Sequence, residues 1–229
     1  MKKTFYTELS YLFGIILLAL GVAFMEAGDL GMSMIVAPAY LVYRKLSLVW
    51  SFFTFGMAEY LFQALLLIVL CAVLRRFRLP YLFSFVTAVF YGFVLDFIML
   101  FTVHLPREEY WQRGVWYVLG MLICSLGVAL VFHTYIPPEV YELFVKELAQ
   151  KLGKPVHKVK TVYDCTSCAV GILLSFAFFG LWHFEGVKLG TILCALINGR
   201  MIGAVMSWLD ARFEFKDALP LRTFFEKAE

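Results

Sequence analysis

Apolar residues in this chain fall in long uncharged runs instead of alternating with polar ones. Neither Leu9–Met25 nor Tyr60–Leu74 contains a charge. Runs of this kind approach the ~20 residues an α-helix needs to cross ~30 Å of hydrocarbon. The pattern predicts six such helices, at roughly 9–28, 52–74, 80–103, 114–134, 161–183 and 189–210. The fold class expected is therefore all-α, a polytopic membrane bundle with short broken or surface helices between its spans.

Two stretches fit no span. Ser33–Lys45 is short and interrupted by Pro38, and it is open whether it crosses, re-enters or lies on the membrane. Its counterpart, Pro137–Gly153, places Val140, Leu143, Phe144 and Leu148 at helical spacing, with proline at the start and glycine at the end. A surface or re-entrant amphipathic helix is expected there.

The chain is internally duplicated. Tyr11-Leu-Phe-Gly-Ile-Ile-Leu-Leu-Ala-Leu-Gly-Val-Ala-Phe24 returns 106 residues later as Tyr117-Val-Leu-Gly-Met-Leu-Ile-Cys-Ser-Leu-Gly-Val-Ala-Leu130. Repeat one covers about 9–104 and repeat two about 114–210, leaving 211–229 as a tail of a single membrane domain. With three spans each, the copies must point in opposite directions, the inverted-repeat plan of many secondary transporters.

Composition agrees with this class: 62% of residues are hydrophobic and only 16% charged, against about a quarter charged in soluble domains. A net charge of +3 gives no argument for nucleic acid. Its distribution is more telling. With the N-terminus inside, fourteen Lys and Arg fall in cytoplasmic segments, among them Arg75, Arg76, Arg78 and Lys146–Lys160, against five outside. The positive-inside rule then puts both termini in the cytoplasm. Met-Lys-Lys followed by an apolar core resembles a signal peptide, but Glu8 interrupts it and no Ala-x-Ala-like site follows, so a retained first helix is expected. The five cysteines all lie in apolar segments and read as packing residues, not a disulfide framework.

Three stretches carry a family resemblance. They are Gly21-Val-Ala-Phe-Met-Glu-Ala-Gly-Asp-Leu-Gly-Met-Ser33, Lys158-Val-Lys-Thr-Val-Tyr-Asp-Cys165 and Gly186-Val-Lys-Leu-Gly-Thr-Ile-Leu-Cys-Ala-Leu-Ile-Asn-Gly199. On these the chain resembles the YczE/YyaS/YitT group of bacterial integral membrane proteins over about residues 10–205. The resemblance implies a multi-pass location in the bacterial cytoplasmic (inner) membrane and says little of activity. Tyr135-Ile-Pro-Pro-Glu139 departs from the Gly-x-x-Pro-Arg-Asp that the group tends to carry there.

Ionisable residues inside spans cost about 2.5–3.5 kcal/mol at mid-bilayer on an insertion scale, so each is a candidate for function or pairing. Arg200 sits halfway along the sixth span beside Asn198, and reads either as an anion-binding group or as one partner of a structural ion pair. Asp96, in the third span, is its expected partner. Tyr91 and Asn198 occupy equivalent positions in the two repeats, so Arg200, Asn198, Tyr91 and Asp96 form the expected substrate site. Glu59 and Asp164 occupy matching positions near the start of each repeat's second span, where they read as coupling-proton or cation sites, or as helix N-terminal carboxylates. Glu26 and Asp29 are expected to cap the broken segment that follows them. Cys165-Thr-Ser-Cys168 is a lone C-x-x-C without a second ligand pair, so no metal and no cofactor is assigned.

No nucleophile set or Gly-rich nucleotide loop is recognisable, so an enzyme is not expected. The reading is a transporter or permease for a small solute, anionic or zwitterionic. It would be driven by an ion gradient or a partner ATPase, with the bilayer and a second copy of the chain as further partners. The alternative is a non-transporting membrane scaffold or assembly factor.

Overall fold

The computed structural model describes residues 2–226 apart from His183, with the side chains of His157 and Glu226 excluded. In chain order the elements are β1 (Lys3–Tyr6), α1 (Thr7–Gly28), α2 (Ala37–Leu46), α3 (Phe55–Leu74), α4 (Leu79–Thr102), α5 (Tyr110–Phe132), α6 (Val140–Leu152), α7 (Val156–Phe179), α8 (Leu189–Arg212), β2 (Phe213–Lys216) and α9 (Arg222–Glu226). Six of them, α1, α3, α4, α5, α7 and α8, have helical stretches long and apolar enough to cross a membrane. The chain is a multi-pass helical membrane protein. Large apolar side chains such as Phe93, Phe97, Ile68 and Leu173 cover its outer faces, where lipid replaces water as the solvent.

Local chemistry sets the helix ends. α1 stops where Asp29 turns left-handed at φ 50°, and α3 stops the same way at Arg75, φ 54°. α3 begins under Thr54, whose hydroxyl accepts the Met57 N–H at 3.1 Å. Pro80 stands in the first turn of α4, where its missing N–H leaves no helical bond unmade.

α1 and α5 form the spine, antiparallel and in backbone contact. A Cβ added at Gly21 would lie 2.6 Å from the Cys124 nitrogen and 2.7 Å from the Gly120 carbonyl oxygen, so only glycine permits the approach. Gly14 meets Gly127 and Val131 in the same manner. Gly120 is the repeat-mate of Gly14, and Gly127 that of Gly21, so the two contacts are each other's image. The image extends outward: Ser10 donates to the Leu130 carbonyl at 2.7 Å, while Phe24 and Trp116, the mates of Leu130 and Ser10, pack edge to face at 5.4 Å. Small residues that admit close backbones are how helices associate in lipid, where apolar burial alone gives little.

The other helices repeat this relation. α4 packs on α1 as α8 packs on α5, and α3 on α4 as α7 on α8. α2 leans across onto α7, and α6 onto α3.

α2 has 10 residues and α6 has 13, about 15 and 20 Å of helix, too short to cross ~30 Å of hydrocarbon. Both enter the bundle by their N-terminal ends: Met32 to Leu41 are all buried, as are Pro137 to Leu143. α6 is thus no simple surface helix, because its Glu142 and Glu147 are buried along with its apolar stripe.

The tail expected at 211–229 is partly ordered against the N-terminus. β2 pairs in parallel with β1, from Lys3 opposite Phe213 to Tyr6 opposite Lys216, a small exception to the all-helical expectation. The Glu8 carboxylate accepts the Ala218 and Leu219 N–H groups at about 3 Å, tying the tail to the start of α1.

Candidate functional site

The N-terminal end of α6 sits among ionisable groups from two other helices. Gln63 of α3 holds that end at two points: its Oε1 accepts the Val140 N–H at 2.9 Å, and its Nε2 donates to Glu139 Oε2 at 3.1 Å. One turn before Gln63, Glu59 Oε2 accepts the Tyr141 hydroxyl at 3.0 Å. From α7, Lys160 Nζ donates to Glu142 Oε1 at 2.9 Å and lies 3.6 Å from Asp164 Oδ1, beyond hydrogen-bond length. Side-chain exposure is 2% for Lys160 and Glu142 and 0% for Asp164. Glu59 Oε1, Glu142 Oε2 and both Asp164 oxygens are buried without a hydrogen-bond partner.

Four carboxylates therefore share this region with one ammonium, which pairs with two of them, Glu142 and Asp164. Glu139 lies ahead of α6, outside the six long helices. Burial, with neighbouring Glu142 adding repulsion, pushes its carboxyl up to about 8. The N-terminal dipole of α6 favours negative charge at this point and offsets part of the repulsion.

A cavity of about 420 Å³ leads to this cluster from the end of the bundle that carries both chain termini. Its walls are Val131 and Phe132 of α5, Val156 of α7, and Ile202 and Met206 of α8, with Thr134, Lys146, Ser207 and Asp210 toward the mouth. Lys160 is the cluster residue that lines it.

At the opposite end the corresponding positions are Met25, Phe55 and Leu95, the mates of Val131, Lys160 and Ile202; all six are buried. Tyr40 packs edge to face on Phe55 at 5.4 Å, and Tyr43 stacks on it at 5.7 Å. Asp96 accepts from the Thr54 hydroxyl at 2.6 Å and from the Gly56 N–H at 2.8 Å, locking α4 under the start of α3.

The residues expected to act are divided by this arrangement. Glu59 and Asp164 both reach the network at α6. Asp96 does not pair with Arg200, because Thr54 and Gly56 occupy it instead. Arg200 faces outward, exposed beside Gly199 and Gly203, in a groove of about 430 Å³ between α7 and α8 that also includes Lys158 and Thr161. No ion pair among the described residues reaches it. Asn198 is buried and accepts from Ser125 at 3.1 Å, and Tyr91 is buried in the core at 1% exposure. The four residues do not form one site. Asp29 binds Lys188, by its carboxylate at 2.5 Å and its carbonyl at 3.0 Å, instead of capping α2. Of the C-x-x-C pair, Cys165 is exposed and Cys168 buried. No group of three metal-binding side chains occurs among the described residues.

The chain belongs to DUF6198. The profile of this family, described as a family of unknown function, matches residues 5–207. No curated protein and no solved structure matches the chain. The DUF6198 match takes in all six long helices save the last turn of α8, and it includes every member of the buried network.

Lys160, Glu142, Glu139 and Gln63 are functional candidates absent from the sequence reading, which counted Lys160 among cytoplasmic loop charges. One signal was available. Lys160 precedes Asp164 by four residues, which puts the two on one helical face. The short α6 gave no sign that its acids turn inward.

Proposed function

We propose that this protein is a secondary transporter made of two inverted repeats, α1–α4 and α5–α8, open toward the cytoplasm where both termini lie. A small solute would enter the cavity between α5, α6, α7 and α8 and reach the buried cluster at its floor. The observation that carries the reading is the asymmetry of the ends: Lys160, with Val131 and Ile202, lines a cavity of about 420 Å³, while its mate Phe55 is covered by Tyr40 and Tyr43. In an inverted repeat each half can adopt the other's conformation, which would close this cavity and open its mirror image. The 14-to-5 bias of basic residues supports the cytoplasmic placement of the termini. Membership beside the YczE/YyaS/YitT group would put the protein in a bacterial inner membrane.

The test needs no substrate. In a variant with the five native cysteines replaced, Met206→Cys and Leu95→Cys are exposed in turn to a membrane-impermeant maleimide, from each side of sealed vesicles. A transporter labels Met206→Cys from the cytoplasmic side, and labels Leu95→Cys slowly from the other side as the second state is visited. Leu95→Cys staying unlabelled until the protein is unfolded would refute alternating access and favour the scaffold.

A further inference from the structure

We infer that Lys160 is the substrate-binding cation, that it takes a small amphipathic monocarboxylate, and that Asp164 accepts a proton when it does. The inference rests on the transporter reading for its direction of travel, but not for the site itself.

Lys160 is the buried cation of this cluster, and it stands where the cavity ends. Its ammonium has three donors, of which the structure uses one at hydrogen-bond length, on Glu142. Lys160 and Lys146 are the cations of the cavity lining; beside the buried acids, a singly charged carboxylate adds less uncompensated charge than a phosphate dianion would. Val131, Phe132, Val156, Ile202 and Met206 offer apolar surface to the rest of the molecule.

Charge balance supplies the coupling. Lys160 faces Glu142 from α6 and Glu139 just ahead of it, Tyr163 and Asp164 from α7, Cys124 from α5 and Cys194 from α8, and Lys146 of α6 lines the same cavity. The groups in ion-pair contact with Lys160 are both negative, so a bound carboxylate adds one more buried anion beside an ammonium already shared. A proton drawn from solvent onto an Asp164 oxygen, neither of which has a hydrogen-bond partner, restores the balance. The ammonium keeps its own proton and passes from the internal carboxylates to the substrate. Empty, the cluster is closed by Lys160 on its acids; loaded, it is closed by a proton. The result is symport of one proton with one carboxylate.

The probe is benzoate, added to purified wild-type protein in weakly buffered detergent, with binding read by calorimetry and proton uptake by a pH indicator. Expected is saturable binding with about one proton taken up per benzoate. Lys160→Met should weaken binding at least about thirtyfold, as removal of one partner of a buried charge pair does, and Lys160→Arg should restore part of it. The double variant Lys160→Met/Asp164→Asn guards against misfolding, since it leaves one fewer buried charge; it must be monodisperse and still fail to bind. Asp164→Asn should bind benzoate with little proton uptake. Overturning results are wild type that fails to bind up to about 10 mM, equal binding by Lys160→Met, or proton uptake unchanged in Asp164→Asn. Benzoate-driven acidification of proteoliposomes is the separate arm: binding with proton uptake but no flux refutes transport and leaves the site, while flux indifferent to Lys160 refutes the site and leaves transport.

Discussion

Gly21→Ala is the sharpest test of the spine. The added methyl would stand 2.6, 2.7 and 2.8 Å from the Cys124 nitrogen, the Gly120 carbonyl oxygen and the Cys124 Cα. All three are backbone atoms, so no side chain can turn away. Ordinary contact needs about 0.7 Å more, so α1 and α5 must separate by roughly that distance locally. A gap of this size forfeits a quarter to a half of each pairwise contact of about 0.1–0.2 kcal/mol; over about 40 heavy-atom pairs in two turns that is about 2 kcal/mol. Helix propensity returns at most about 1 kcal/mol, to the extent that the unfolded state is not itself helical at this position. The net expectation is destabilisation of about 1–2 kcal/mol. Gly120→Ala should cost a similar amount, since its methyl meets the Gly21 oxygen at 2.6 Å and the Met25 nitrogen at 2.8 Å. The pair should be less than additive, because the first substitution already parts the helices. Gly203→Ala is the control: nothing lies within 4 Å of its added Cβ. Unfolding in mixed micelles, followed by helical circular dichroism, reads all four. Gly21→Ala within 0.5 kcal/mol of wild type (about the ordinary surface effect), or Gly203→Ala as damaging as Gly21→Ala, would refute the close-packed spine.

Three further outcomes are expected. Glu139 has its carboxyl raised from 4.5 to about 8, so its contribution to stability is complete below pH 4.5 and is lost as pH rises through 8; the slope is at most about 1.4 kcal/mol per pH unit. The thermal midpoint of wild type should fall between pH 5 and 8, and that of Glu139→Gln should fall less; equal slopes would remove Glu139 from the account. Gln63→Leu leaves the Val140 N–H and Glu139 without their buried partner and should cost about 1–3 kcal/mol, whereas Gln63→Glu should keep the Val140 bond and recover part of it at acid pH. Arg200→Leu should leave the unfolding midpoint in micelles within about 0.5 kcal/mol of wild type, as for an exposed side chain; a loss like that of a buried ion pair, about 3–5 kcal/mol, would mean that Arg200 has a partner after all.

The sequence made the frame legible because hydrocarbon imposes a single rule: satisfy the backbone within the helix for ~20 residues. All six long helices appeared within a few residues of their expected places. The repeat of Gly14 and Gly21 at Gly120 and Gly127 announced the spine without saying that the glycines face one another. The site was harder. Glu59 and Asp164 stood out as acids in apolar runs, and both reach the network. Arg200 stood out for the same reason and points outward, because a linear pattern cannot tell which side of α8 faces the bundle when neither side is polar. Lys160 and Glu142 were hidden for the opposite reason. Lys160 sits among the charges of the stretch Lys146–Lys160 and Glu142 in a helix expected on the surface or re-entrant, and only the inward lean of α6 removes them from water.

That lean also explains why the cluster holds together. Glu59, Glu139, Glu142 and Asp164 carry four negative charges when ionised, against one positive charge on Lys160. An uncompensated buried ion costs several kcal/mol after relaxation, so full ionisation is incompatible with the closed packing around α6. The N-terminal dipole of α6 supplies roughly half a charge, which leaves more than two to be met by protons or by opening the cluster to water. Glu139, with its carboxyl pushed up to about 8, takes one of them near neutrality. The pairs that Lys160 makes with Glu142 and Asp164 lie on the side that meets the cavity. Protonation and access are thereby joined in one place: whatever changes the charge there also changes how firmly α6 and α7 are held together. The glycine contacts between α1 and α5 are made by backbone atoms, and none of these four carboxylates takes part in them.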